Sequence, residues 1–243
     1  MSLPAHLLER LPNEVRRGHL GLEKDEPVLP LGIADLDAVL PGGGLPRGGV
    51  VELSVSGGAA FATSVALAAF RSAKKGAELN GGEAPWCAFL DPSVTLHGPG
   101  VASAGVDLER LLVVRPSIEA LGRTAIRVVE SQAFAVVAVD TVGVPGAQLS
   151  VSLTSWLRIV RRLSVAAESS NAVVLLITDG EARRSLPLPV ALRLELGRPA
   201  VEKLSVRVAK ERRGRVSGPR TIVWSKPRAK ALVPRPLVAV ASS

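Results

Sequence analysis

The stretch Val50-Val51-Glu52-Leu53-Ser54-Val55-Ser56-Gly57-Gly58-Ala59-Ala60-Phe61-Ala62-Thr63-Ser64 limits most strongly what this chain can fold into. A Gly/Pro-rich turn at 41–49 precedes it and an apolar run at 65–70 follows. Apolar strand, loop of small residues and apolar helix together are the layout of a phosphate-binding P-loop. A working P-loop reads G-x-x-x-x-G-K-[ST]: glycines bring backbone N–H groups to the phosphates, the Lys holds β/γ charge, and the hydroxyl holds Mg²⁺. On that frame Val55 stands for the first Gly, Ala60 for the second, Phe61 for the Lys and Ala62 for the hydroxyl. Thr63 lies one position too late. The scaffold is present and the phosphate chemistry is missing.

Further along, 135–140 and 172–179 are nearly continuous apolar runs, the mark of strands buried on both faces. Strands at 50–55, 86–91 and 111–116 alternate with helices expected at 63–75, 101–104, 118–132 (capped by Ser117) and 149–168. That alternation predicts an α/β fold with a mainly parallel sheet flanked by helices. The segments 190–196 and 204–210 alternate like antiparallel edge strands near the C-terminal end. Residues 2–17 read as a short N-terminal helix, interrupted by Pro12 and followed by a linker. With apolar residues at 47% and aromatics at 3%, Ala, Val and Leu must fill the core. The lone Cys87 excludes an internal disulfide, and His6, His19 and His97 give no metal-ligand spacing. No apolar run reaches the ~20 residues of a membrane span and the N-terminus lacks a signal-peptide pattern, so the cytoplasm is the expected location.

Charge is unevenly placed. From residue 203 onward eleven Lys and Arg face one acid, Glu211, a net +10, whereas residues 1–202 carry about −2. Lys203, Arg207, Lys210, Arg212, Arg213, Arg215, Lys226 and Arg228, with Trp224 and the earlier pair Arg183 and Arg184, are candidates for contact with DNA or a partner. A solvated tail is the plainer reading. Both remain open on the sequence.

The order of motifs resembles RecA-like proteins. Residues 32–48, with Leu36-Asp37 and Gly42-Gly43-Gly44-Leu45-Pro46, are similar to the segment before the Walker A strand of that superfamily. Gly105-Val106-Asp107 with Leu111-Leu112 and the strand ending at Asp140 match its later landmarks. Within the superfamily the chain looks like the ImuA group, accessory proteins of SOS mutagenesis. The shared features include Leu186-Pro187-Leu188 and the stretch Leu192-Arg193-Leu194-Glu195-Leu196. The resemblance divides the chain into an N-terminal helix and linker (1–29), a RecA-like core (30–217) and a basic Pro/Val-rich tail (218–243).

It also makes the departures informative. Ser93 stands where the fold places a water-orienting Glu, and Asp179 stands where it uses an amide sensor. Asp140 keeps the Walker B position, but only about nine residues (141–149) separate it from the next helix, leaving no room for a long DNA-contacting loop. The chain is therefore expected to be a pseudo-ATPase without cofactor or metal. The implied function is that of a non-catalytic accessory protein in translesion synthesis, binding an ImuB-type Y-family polymerase-like adaptor and RecA, whose filament it would limit. Alternatives are a DNA-binding or residual-ATPase recombination protein and a SulA-type cell-division inhibitor.

Overall fold

The structure, a computed structural model, describes residues 27–56, 59–144, 147–149, 151–181, 187–200 and 202–224. The expected helix at 2–17 lies outside them, as do Arg183, Arg184, Lys226 and Arg228. The described chain begins with strand β1 (Val28–Leu29), the single-turn helix α1 (Ala34–Asp37), a 3₁₀ turn at Pro41–Gly43 and strand β2 (Leu45–Pro46), which pairs antiparallel with β1. Asp37 explains the Leu-Asp landmark: its carboxylate accepts the N–H groups of Leu31, Gly32 and Ile33 at 2.7, 2.9 and 3.2 Å and so ties down the turn before its own helix. Gly44 is needed because a Cβ there would lie 2.7 Å from the Leu29 backbone.

Strand β3 (Gly49–Val55) is buried along its whole length, as an interior strand covered on both faces must be. Helix α2 (Ala60–Leu79) follows, then β4 (Trp86–Leu90), the short helix α3 (Gly98–Ser103), β5 (Leu111–Val114), α4 (Ile118–Glu130) and β6 (Phe134–Asp140). Next come a two-residue hairpin of β7 (Gly143–Val144) and β8 (Ala147–Gln148), then α5 (Trp156–Ser170) and β9 (Val173–Asp179). The strands β10 (Leu192–Ala200), β11 (Lys203–Glu211) and β12 (Arg220–Val223) complete the described fold.

The main sheet has the order β12-β11-β10-β3-β9-β6-β4-β5. The six strands from β10 to β5 are parallel, and β11 and β12 add antiparallel at one edge. Residues of alternating parity serve opposite faces. Val51, Leu53 and Val55 pack with α2, whose Ala62, Ala66 and Ala69 let the helix sit close. Val50, Val174 and Leu176 pack with α4 and α5. The fold is the α/β arrangement that the alternation of elements predicts.

Two expectations change. The helix expected from residue 149 starts at Trp156, because the hairpin and a 3₁₀ turn at Leu153–Ser155 use the residues ahead of it. The Asp140 carboxylate drives this turn by accepting the Val142 and Gly143 N–H groups at 2.8 and 3.0 Å, with Gly143 at φ +74°. The second change is the tail boundary at 218. Residues 220–223 are a strand of the chain's own sheet, Ile222 is buried, and the Trp224 N–H bonds to the Glu202 carbonyl at 2.9 Å. Among the described residues no helix is long and apolar enough to cross a membrane.

Candidate functional site

In open α/β sheets ligands bind beyond the C-terminal ends of the strands. Here the ends of β4 and β6 and the start of α2 enclose a cavity of about 250 Å³, lined by Ala60, Thr63, Asp91, Thr95, His97 and Asp140. It holds several residues singled out from the sequence, and their hydrogen bonds show what they do. Asp91 is 1% exposed, and both carboxylate oxygens are in use. One accepts the Ser93 hydroxyl at 3.2 Å and the Thr95 N–H at 3.1 Å, and the other accepts the Leu96 N–H at 2.9 Å. Asp91 thus holds its own loop. Ser93 lies in that network, 2.9 Å from the Thr95 hydroxyl, and carries no carboxylate to orient a water.

Asp140 is 3% exposed and caps the turn after β6 with one oxygen. Burial pushes its carboxyl above the usual range, the two backbone N–H groups pull it back, and the nearby Asp91 charge adds to the rise. Thr63, the late hydroxyl, is half-buried and faces the same cavity as these two acids, while Ala62 is fully buried in the core. Val55 ends β3 at 2% exposure. Asp179 ends β9 on the surface, where its carboxylate accepts the Glu181 N–H at 2.9 Å.

Phe61 departs furthest from a phosphate site. Its ring is absent from the cavity lining and turns toward the β10–β12 edge. There it meets Trp224 edge-on, with centroids 6.1 Å apart and planes at 80°, and the Arg198 guanidinium carbon lies 5.5 Å from its centroid. The position read as the P-loop Lys is thus an aromatic anchor for the residue that follows β12. Trp224, read from sequence as a partner contact, is only 7% exposed and spent on this internal packing.

A second polar group escaped the sequence reading. Glu52, in the middle of β3, is 0% exposed. It accepts the Thr178 hydroxyl at 2.7 Å and lies 3.8 Å from the Arg193 Nε. Arg193 also donates to Ser54 at 3.3 Å. Beside them a recess of about 480 Å³ opens among Ser54, Ser56, Gly180, Arg193, Glu195 and Arg207. A Cβ on Gly180 would sit 3.0 Å from the Ser56 hydroxyl and 3.1 Å from the Val55 carbonyl, so a side chain there would push these neighbours aside. The available signal was one acid inside an apolar strand, in phase with Ser54 and Ser56.

The basic residues that run together in sequence do not form one patch. β11 is nine residues long, so its ends lie roughly 30 Å apart. Lys203 is at the end nearest the C-termini of the parallel strands, and Arg212, Arg213 and Arg215 are at the opposite end. Arg207 pairs with Glu195 at 3.1 Å, Lys210 donates to the Leu188 carbonyl at 3.0 Å, and Arg215 pairs with Glu211 at 3.2 Å. Burial alone would raise the Glu211 carboxyl; the hydrogen bonds from Arg215 and from the Arg213 and Arg215 backbone outweigh it and hold the group below its usual range.

The model of the RecA N-terminal domain matches residues 17–177, from before β1 to near the end of β9. The chain belongs to the RecA family. It is 34% identical over 169 residues to the Protein RecA of Thermus aquaticus, a match covering 63% of this chain and 46% of that relative. It is 31% identical over 166 residues to the Protein RecA of Bartonella quintana, covering 62% and 45%. To the mitochondrial DNA repair protein recA homolog of Dictyostelium discoideum it is 30% identical over 167 residues, covering 63% and 34%. The matched region is thus half or less of each relative. Against the P-loop pattern, this family member carries Phe61 and Ala62 in place of Lys and hydroxyl.

Proposed function

We propose that the protein is a non-catalytic RecA-like accessory factor in SOS-induced translesion DNA synthesis, working through protein partners rather than through ATP turnover. The observation that carries this reading is the packing of Phe61 against Trp224 beneath Arg198. A Lys at that position would reach the β/γ-phosphates; an aromatic ring held in the core edge cannot. The residues present therefore do not fit Mg²⁺-ATP as a P-loop holds it. Asp91 and Asp140 secure loops, and Ser93 supplies no general base.

Partner binding is supported by the other edge of the sheet. Among the described residues strand β5 has a neighbour on one side only, with Leu112 and Val113 about two-fifths exposed and Leu108 and Ile118 nearby. An open apolar edge is a template for a strand from another chain. The partners in this reading are an ImuB-type polymerase-like adaptor and RecA itself, whose filament the protein would limit. The test is co-purification of each partner with the full chain, with Leu112→Asp and with a chain ending after Trp224. Retention by the full chain and loss in at least one variant supports the reading. No retention of either partner would end it.

A further inference from the structure

Helices α4 and α5 lie side by side on one face of the sheet. Their inner sides bury Leu121, Ala125 and Val129 and Trp156, Val160 and Leu163. Their outer sides carry five arginines, Arg123 and Arg127 on α4 and Arg158, Arg161 and Arg162 on α5, and neither helix contains a lysine. Arg162 is paired with Glu130 at 2.7 Å. Arg123, Arg127, Arg158 and Arg161 are exposed and make no side-chain ion pair or hydrogen bond among the described residues.

On α5 this pattern works against the helix that carries it, whereas α4 has Glu119 in its first turn and Arg127 in its last, as the macrodipole favours. Arg158 lies in the first turn of α5, where the N–H ends of the macrodipole repel a cation, and Glu168 lies in the last turn, where the carbonyl ends repel an anion. Arg158, Arg161 and Arg162 are three and four residues apart, so like charges also stand over one another. A helix arranged only for solvation would place the α5 charges the other way round, as α4 does. Local rules broken on α5 without a compensating contact among the described residues point to a contact with another molecule.

We propose that the outer face of α4 and α5 docks an acidic segment of a partner protein, whose carboxylates engage Arg123, Arg127, Arg158 and Arg161. Charge complementarity selects the occupant. A second copy would bring arginines against arginines and is repelled. Guanidinium forks match carboxylates bidentately, and arginine without lysine is the composition of protein interfaces. Val165, 69% exposed one turn beyond Arg161, adds an apolar contact of the kind such a segment would meet. Single-stranded nucleic acid is the poorer fit: its binders add aromatic platforms, and the one aromatic of these helices, Trp156, is buried. The surface lies on the α4/α5 face of the sheet, opposite the α2 face that lines the cavity, so the proposal stands whether or not the reading of the nucleotide site holds.

The test is fluorescence anisotropy of the full chain with a labelled acidic helical peptide of Glu, Leu and Ala at low salt. The peptide should bind and weaken with salt. The variant Arg123→Ala/Arg127→Ala/Arg158→Ala/Arg161→Ala should bind it about tenfold or more weakly. Arg212→Ala/Arg213→Ala/Arg215→Ala, at the far end of β11, should bind it as the wild type does. The fourfold variant should melt no lower than the wild type, because charge repulsion within α5 is relieved. The proposal is overturned by unchanged peptide affinity in the fourfold variant or by equal loss in the threefold one. A lower melting temperature would mark the arginines as structural, and loss of oligo(dT) rather than peptide binding would mark a nucleic-acid surface; either result overturns it too.

Discussion

Replacing Trp224 by Ala removes the side chain that joins the last described strand to the start of α2. A buried Trp withdraws on the order of 200 Å² from water, which at about 25 cal/mol/Å² is an upper bound near 5 kcal/mol. The edge-on contact with Phe61 adds roughly 1 kcal/mol, and the site can partly collapse because Trp224 lies at the sheet edge rather than at its centre. The expected cost is about 3 kcal/mol. For a chain of 243 residues that lowers Tm by roughly 6–12 °C. Urea unfolding followed by far-UV circular dichroism should show a lower midpoint with an unchanged slope. Trp86→Ala is the control: Trp86 is 43% exposed with Arg110 5.6 Å above it, and should cost under about 1 kcal/mol. If Trp224→Ala were no more costly than Trp86→Ala, the packing of residues 220–224 into the body would be refuted.

Asp140→Asn tests whether that carboxylate is retained as a turn cap. Because burial raises its folded pKa above the unfolded one, its favourable contribution is full below the unfolded pKa and is lost as pH rises through the folded value. The Asn oxygen still accepts the Val142 and Gly143 N–H groups, so the variant should equal or exceed the wild type in stability at about pH 7, with the advantage shrinking toward about pH 4. A loss above about 1 kcal/mol at pH 7 would mean that the ionised form is needed. Arg193→Ala removes the cation beside the fully buried Glu52 and should cost about 3 kcal/mol, and Glu52→Gln made with it should recover part of that loss. A double-mutant cycle additive within about 0.5 kcal/mol would show that the two do not act together.

Much of this architecture could be read from periodicity, because runs such as Val136–Val139 and Val173–Ile177 have one stable use, a parallel strand buried on both faces. Asp37 and Asp140 were legible as positions but not as roles. A strand-end acid looks the same in sequence whether it awaits a metal or caps its own turn, and only the hydrogen bonds separate the two. Trp224 and Phe61 are far apart in the chain, so nothing local could say that one lost its lysine and the other became its packing partner. The basic end misleads for a related reason: an extended nine-residue strand carries the charges at its two ends to opposite ends of the sheet, and Lys203 and Arg212 part company along β11. Glu52 was hidden because its compensating groups, Thr178 and Arg193, come from strands more than a hundred residues later.

The central claim is that a RecA-family body has given up the nucleotide. Isothermal titration of the full chain with Mg²⁺-ATP tests it most directly. The account predicts no saturable binding tighter than about 1 mM, which corresponds to roughly −4 kcal/mol. A micromolar Kd that is lost in Asp140→Asn would contradict it.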